Sequence, residues 1–84
     1  MVVELFGQKG CPGTARARRY LAAAGVPWRE YDIAQDAAAR AEMRKYGAFA
    51  TPLLLVGRRA ALFGFDAAEL EAALGREGLL RGSS

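Results

Sequence analysis

The alternation of strand-like and helix-like segments constrains the fold of this chain more than any other feature. An apolar run at 2–6 precedes a helical pattern that starts at Pro12 and stops at Gly25. A second strand-like run follows at 28–33. Gly25 suits the left-handed conformation of a helix C-cap, and Pro27 cannot continue the helix. A strand, a connecting helix and a second strand predict two parallel strands joined by a right-handed crossover.

The second half of the chain has similar boundaries. Asp36 begins a helical pattern that Gly47 ends. Pro52 opens an apolar strand, whose hairpin partner is predicted at 59–63. A last helix is predicted to start after the N-cap at Asp66 and to stop at Gly75. The predicted order is β-α-β-α-β-β-α, an α/β fold with a four-stranded mixed sheet and three helices.

Apolar residues recur with the helical period in each predicted helix, which identifies the face that should pack against the sheet. These inner faces comprise Ala17, Tyr20, Leu21 and Ala24 in the first helix, Ala39, Met43 and Tyr46 in the second, and Ala67, Leu70 and Leu74 in the third.

Length and cysteine content limit the possible architectures and sites. The chain has 84 residues, 52% of them hydrophobic, which suits one small domain. We predict a domain at 1–76 and a flexible tail at 77–84. One cysteine and no histidine exclude a disulfide framework, a Cys/His zinc site within one chain and a histidine general base. We therefore predict no metal site made by this chain alone.

Charge and hydropathy bear on partners and location. Twelve basic and nine acidic residues give a net charge of +3, and their scattered positions indicate solvated surface and not a nucleic-acid site. The chain shows no signal-peptide pattern and no apolar run of about 18 residues, so we expect a cytoplasmic protein that does not bind membranes. A free thiol stays reduced in that compartment. The bias toward alanine, arginine, glycine and leucine suggests a bacterial genome of high GC content.

Cys11 lies where the first strand gives way to the first helix. The first turn of a helix has unsatisfied N–H groups and partial positive charge, so a thiolate there is stabilised and its pKa falls. A lone cysteine is otherwise often a small buried hydrophobic residue. The position of Cys11 at the start of a helix instead favours a nucleophilic thiol.

Three short motifs occur together: Gly10-Cys11-Pro12-Gly13-Thr14 at the first helix start, Thr51-Pro52 before the hairpin, and Gly64-Phe65-Asp66 before the last helix. With them, the sequence at 1–75 resembles the glutaredoxins, the small branch of the thioredoxin superfamily. The resemblance implies a thioredoxin-like fold with Pro52 in the cis form, facing Cys11. It implies that glutathione or another low-molecular-weight thiol is the co-substrate.

The resemblance also assigns binding roles. The backbone of Thr51 would bind the cysteinyl part of glutathione as an added strand does. The N–H groups that open the last helix would bind the γ-glutamyl carboxylate, and Asp66 its amino group. Lys9 either reaches the glycyl carboxylate or lies in solvent, because the family's lysine is one residue earlier, where this chain has Gln8. The residues assigned to the bound thiol are thus Lys9, Pro12, Gly13, Thr51, Pro52, Gly64, Phe65 and Asp66.

Two departures from the family pattern affect the chemistry. Thr14 stands where dithiol glutaredoxins have a second cysteine, so Cys11 cannot form an intramolecular disulfide. The Thr14 hydroxyl either donates a hydrogen bond to the thiolate or caps the turn. Gly13 replaces the usual tyrosine or phenylalanine, which predicts a more open site beside the sulfur.

The resemblance therefore implies a monothiol thiol-disulfide oxidoreductase with Cys11 and Thr14 as its catalytic residues. Its partners would be glutathionylated or disulfide-containing proteins, and we expect a monomer. A second interpretation is a carrier of a [2Fe-2S] cluster shared between two subunits and two glutathiones. Pro12 and the absence of a loop insertion before Cys11 count against it. A third interpretation is a thioredoxin-fold binding module without redox activity.

Overall fold

The computed structural model describes residues 3–80 and has the predicted order of elements. The strands and helices are β1 (Val3–Gly7), α1 (Pro12–Ala24), β2 (Trp28–Asp32), α2 (Ala37–Lys45), β3 (Leu53–Val56), β4 (Ala60–Phe63) and α3 (Ala67–Arg76). They form one four-stranded sheet in the order β2-β1-β3-β4. β1 is parallel to β2 and antiparallel to β3, and β3 is antiparallel to β4. The prediction of a mixed sheet with three helices is confirmed.

The sheet separates two hydrophobic clusters, because successive residues of a strand point to opposite faces. Val3 and Leu5 belong to the larger cluster, which packs α1 and α3 against one face. Phe6 belongs to the smaller cluster, which packs α2 against the other face. All three helices thus bury an apolar stripe, as their periodicity predicts.

One end of the sheet carries the predicted functional motifs. Phe6 pairs with Leu53, and Leu53 pairs with Phe63, so the end of β1, the start of β3 and the end of β4 lie side by side. The loops that contain Cys11, Pro52 and the start of α3 leave the sheet at this end. The hairpin turn between β3 and β4 lies at the opposite end.

A buried carboxylate on β1 links the hairpin turn to the α2 face. Glu4 is 4% exposed, and its oxygens accept hydrogen bonds from Nε and Nη2 of Arg58 at 2.9 and 3.0 Å. The Arg58 Nη1 donates to Glu42 at 2.8 Å. Gly57 and Arg58 both have positive φ, and the Arg59 N–H donates to the Val56 carbonyl at 3.2 Å across the three-residue turn between β3 and β4. The turn therefore places the Arg58 guanidinium where it hydrogen-bonds the buried carboxylate of Glu4.

The end of α3 differs from the prediction. The helix continues through Gly75 to Arg76, so the predicted stop at Gly75 is wrong. Gly78, with φ of 70°, is the left-handed residue: its N–H donates to the Gly75 carbonyl, and the Leu79 N–H donates to the Leu74 carbonyl at 2.9 Å. These two bonds are the Schellman arrangement.

The α3 interface and the predicted tail also differ in detail. Ala67 is exposed and not on the inner face as predicted; Ala73, one turn from Leu70, is buried instead. Leu79 and Leu80, in the predicted tail, pack against the larger cluster. The rest of that tail, at 81–84, lies outside the described residues. Among residues 3–80, no helix is long and apolar enough to span a membrane.

Replacing Gly75 with alanine is expected to raise the free energy of unfolding by about 0.5–1 kcal/mol, because glycine in a helix interior loses more backbone entropy than alanine. A Cβ at this position would meet no atom within 4 Å. Urea unfolding measures the effect. Gly78→Ala is the matched control and should destabilise the protein, because its φ disfavours a side chain. Equal changes in the two variants would contradict the assigned helix end.

Candidate active site

Cys11 is the N-cap residue of α1, and Pro12 occupies the first helical position. Proline suits this position because its fixed φ matches the helix and its missing N–H would have no partner there. The Cys11 N–H donates to the Gln8 carbonyl at 3.1 Å, which closes the turn between β1 and α1. The side chain is partly buried, and the first turn of α1 contains no acidic residue. The thiol therefore faces the positive end of the helix.

Thr14 lies one turn into α1 and is 1% exposed. Its Oγ1 accepts a hydrogen bond from the Gln8 N–H at 3.4 Å, which leaves its own proton free to donate. Donation to the Cys11 sulfur is the largest cause of the lowered pKa of this thiol, which falls from 9.0 to about 7. The backbone N–H groups of Thr14 and Gly13 also donate to the sulfur and lower the pKa. Thr14 thus accepts the hydrogen bond of the Gln8 N–H in the turn and lowers the pKa of Cys11.

The Thr51–Pro52 peptide bond is cis, as the resemblance implies. The Cys11 Sγ lies 3.7 Å from the Thr51 carbonyl oxygen, a long contact that favours the protonated thiol. The Thr51 hydroxyl, which donates to the sulfur, favours the thiolate and lowers the pKa, whereas partial burial raises it. The donors outweigh the effect of burial, so the pKa of Cys11 is lowered to about 7.

Gly13 brings the first turn of α1 against the cis-proline. A Cβ at this position would lie 2.9 Å from the Pro52 Cδ and 3.9 Å from the Cys11 Sγ. The proline ring therefore lies where a side chain at this position would begin. An aromatic residue at this position would require Pro52 or α1 to move.

Gly64, Phe65 and Asp66 connect the start of α3 to the same loop. Gly64, with φ of 81°, donates its N–H to the Pro52 carbonyl at 2.8 Å. Phe65 packs against the larger cluster and lies 6.0 Å from Tyr20 between ring centroids. Asp66 caps α3 by accepting the Glu69 N–H at 3.0 Å through Oδ1. The second carboxylate oxygen of Asp66 accepts no hydrogen bond within residues 3–80.

A shallow cavity of about 240 Å³ lies against Cys11. Its lining consists of Gln8, Lys9, Gly10, Cys11, Pro12, Ala15 and Arg18. Lys9 is exposed, and Arg18 is held by Glu30, with 2.9 Å between Nε and Oε1. The structure thus brings Lys9, Pro12 and Cys11 together here, whereas Thr51 and the α3 start lie outside this cavity.

Sequence reasoning missed two residues of the site. Arg18 belongs to none of the three motifs and lies off the apolar stripe of α1, although Pro12, Ala15 and Arg18 recur every three residues and all line the cavity. Gly7 ends β1 against Thr14: a Cβ on Gly7 would collide with Thr14 Cγ2 and lie 2.8 Å from Oγ1. No local pattern identifies that contact, because it depends on how closely α1 approaches the strand.

The family model for glutaredoxin matches residues 3–60, from β1 to the start of β4. The chain belongs to the glutaredoxin family. No curated protein matches it. A mutant of the thioredoxin-like protein BC3987 is similar in structure, with a TM-score of 0.82 and 27% identity over 87% of this chain and 94% of that one.

Two solved glutaredoxins are also similar to this chain. The Brucella melitensis protein has a TM-score of 0.69 and 26% identity, over 100% of this chain and 94% of its own. The Archaeoglobus fulgidus protein shares the fold, with a TM-score of 0.73 and 19% identity, over 86% of this chain and 84% of its own. Membership of the glutaredoxin family supports a thiol-disulfide oxidoreductase role.

The reactivity of Cys11 in this glutaredoxin should rise with pH through about 7 and then level off, because only the thiolate reacts. At pH 7 about half of the protein carries a thiolate, against about 1% for a thiol at the ordinary value of 9.0. The rate of alkylation by iodoacetamide measures this profile. A rate that keeps rising to pH 9 would contradict the arrangement of donors around the sulfur.

Replacing Thr14 with valine should raise the pKa of Cys11 toward 9.0, because the largest stabilising donor is removed. Loss of one hydrogen bond to a charged group corresponds to about tenfold less thiolate at pH 7. The same alkylation profile measures the change. Thr14→Ser keeps the hydroxyl and is the control. Equal profiles for the valine and serine variants would assign Thr14 to packing alone.

Proposed function

We propose that this glutaredoxin is a monothiol oxidoreductase that removes glutathione, or a similar low-molecular-weight thiol, from mixed disulfides with proteins. The observation that carries the proposal is the pairing of an activated Cys11 with Thr14, the residue one turn later. Thr14 supports the thiolate but offers no second sulfur. The thiol that completes the reaction therefore comes from another molecule.

In the first step, the Cys11 thiolate attacks the glutathionyl sulfur of the mixed disulfide. A bond forms between Cys11 and that sulfur as the original disulfide bond breaks. The target protein leaves with the electron pair as a thiolate, which takes a proton from water. The donors from Thr14 and from the start of α1 hold Cys11 in its reactive form before attack.

In the second step, a glutathione thiolate attacks the glutathionyl sulfur on Cys11. Glutathione disulfide forms, and Cys11 leaves as a thiolate. The electrons that reduce the target thus come from two glutathione molecules, one already attached. A thiol with a pKa near 7 is a good leaving group, so the contacts that activate Cys11 also favour its release.

The cis-proline loop offers a place for the small thiol. The backbone of Thr51 lies beside the sulfur, and an extended cysteinyl segment can pair with it as an added strand. The N–H of Gly64 is already used by Pro52, so the anion-binding role falls to the remaining N–H groups at the start of α3. Asp66 caps that helix through one oxygen and has the other for an amino group.

Steady-state kinetics with a glutathionylated peptide test this proposal. Initial rates measured over a grid of peptide and glutathione concentrations should show the ping-pong pattern, because the first product leaves before glutathione binds. Parallel reactions with mixed disulfides of cysteine and of coenzyme A identify the preferred thiol. No exchange with any of the three would overturn the proposal. A visible absorption spectrum of anaerobically purified protein distinguishes it from a cluster carrier, which would be coloured.

A further inference from the structure

We infer that the cavity beside Cys11 binds a carboxylate of the target polypeptide, so that target cysteines flanked by acidic residues are preferred. The inference rests on the proposed function and specifies its protein substrates. Lys9 and Arg18 are the cations of this cavity.

The cavity and the proposed thiol site lie on opposite sides of the nucleophile. Arg18 binds Glu30 on β2, so the cavity extends toward that strand. Thr51 precedes β3, and the strand order places β2 and β3 on opposite sides of β1. A mixed disulfide has two halves that meet at the attacked bond. If the small thiol pairs with Thr51, the concave surface on the β2 side remains for the polypeptide.

The charge of this side is suited to an anion. Between residues 5 and 29 the sequence contains five basic residues and no acidic one. Glu30 occupies Nε and Nη2 of Arg18, but Nη1 makes no hydrogen bond within residues 3–80 and can donate to a ligand. Lys9, in the loop between β1 and α1, is exposed and lines the same cavity. A carboxylate between them would be bound by two cations while the adjacent cysteine thiolate departs.

The experiment compares two glutathionylated peptides that differ only in having glutamate or lysine on both sides of the cysteine. We expect kcat/KM to favour the acidic peptide by about fivefold at low salt, as partly exposed ion pairs allow. The preference should disappear near 1 M salt, where screening extends to about 3 Å. Lys9→Glu and Arg18→Glu should each weaken it, and together they should reverse it.

The control is Arg59→Glu, which makes the same charge change in the hairpin turn at the far end of the sheet and should retain the preference. The ratio between peptides is taken within each variant, so a general change in Cys11 reactivity cancels. Equal turnover of both peptides would overturn this inference and leave the proposed function intact. A higher KM for glutathione in Lys9→Glu, with an unchanged peptide ratio, would assign the cations to the small thiol and also overturn it. Failure of both peptides to react would overturn the proposed function too.

Discussion

Replacing Cys11 with serine should lower the rate of peptide deglutathionylation on the order of a thousandfold or more, because a serine hydroxyl is not ionised near neutral pH and no neighbouring base activates it. The sequence contains no other thiol that could take over the reaction. Release of the peptide thiol in the presence of glutathione measures the rate, after subtraction of the uncatalysed exchange.

Cys11→Ser should keep its fold, which makes the loss of activity interpretable. The side chain is partly exposed and makes no capping hydrogen bond in the described residues. Its urea midpoint should therefore stay close to that of the wild type. A folded serine variant that retains a tenth of the activity would show that the reaction does not pass through Cys11.

Replacing Gly7 with alanine should cause a large loss of stability. The added carbon would collide with Thr14 Cγ2 and lie 2.8 Å from its hydroxyl, and both residues are buried. Inserting a methyl group into a packed core costs about 1–3 kcal/mol, and more where the backbone cannot move. If Thr14 moves to relieve the collision, its hydroxyl leaves the sulfur and the pKa of Cys11 rises.

Urea unfolding and the alkylation profile measure the two effects of Gly7→Ala together. A double-mutant cycle with Thr14→Ala isolates the contact, because removing the hydroxyl and methyl groups of Thr14 should reduce the cost of the added carbon. Gly75→Ala is the control, because it also replaces a glycine with alanine but causes no collision. It should stabilise the protein. If Gly7→Ala costs as much with Thr14→Ala as without it, the collision with Thr14 is not the cause.

The sequence predicts the fold well where local signals agree with tertiary packing. Gly25 marks the end of α1, as the structure confirms. The predicted end of α3 is wrong because two glycines, Gly75 and Gly78, lie near the end of the helix. The sequence does not show which of them adopts the left-handed conformation. In the structure Gly78 is the left-handed residue, and Leu79 and Leu80 beyond it pack against the core.

The candidate site was predictable as far as motifs identify it. Cys11 lies at the helix start and beside a cis Pro52, as expected from the helix position and from the family resemblance. Contacts between separate elements were not predictable, because no local pattern reports how closely two elements approach. Two such contacts are the packing of Gly13 against the Pro52 ring and the packing of Gly7 against Thr14. The position of Arg18 at the cavity is another.

The most direct test of the monothiol account is the mass of the protein after it reacts with a glutathionylated peptide in the absence of free glutathione. The account predicts that one glutathionyl group is added to Cys11, that one peptide thiol is released, and that adding glutathione then restores the original mass. Peptide attached to Cys11 with glutathione released, or no adduct on a folded wild-type protein, would contradict it.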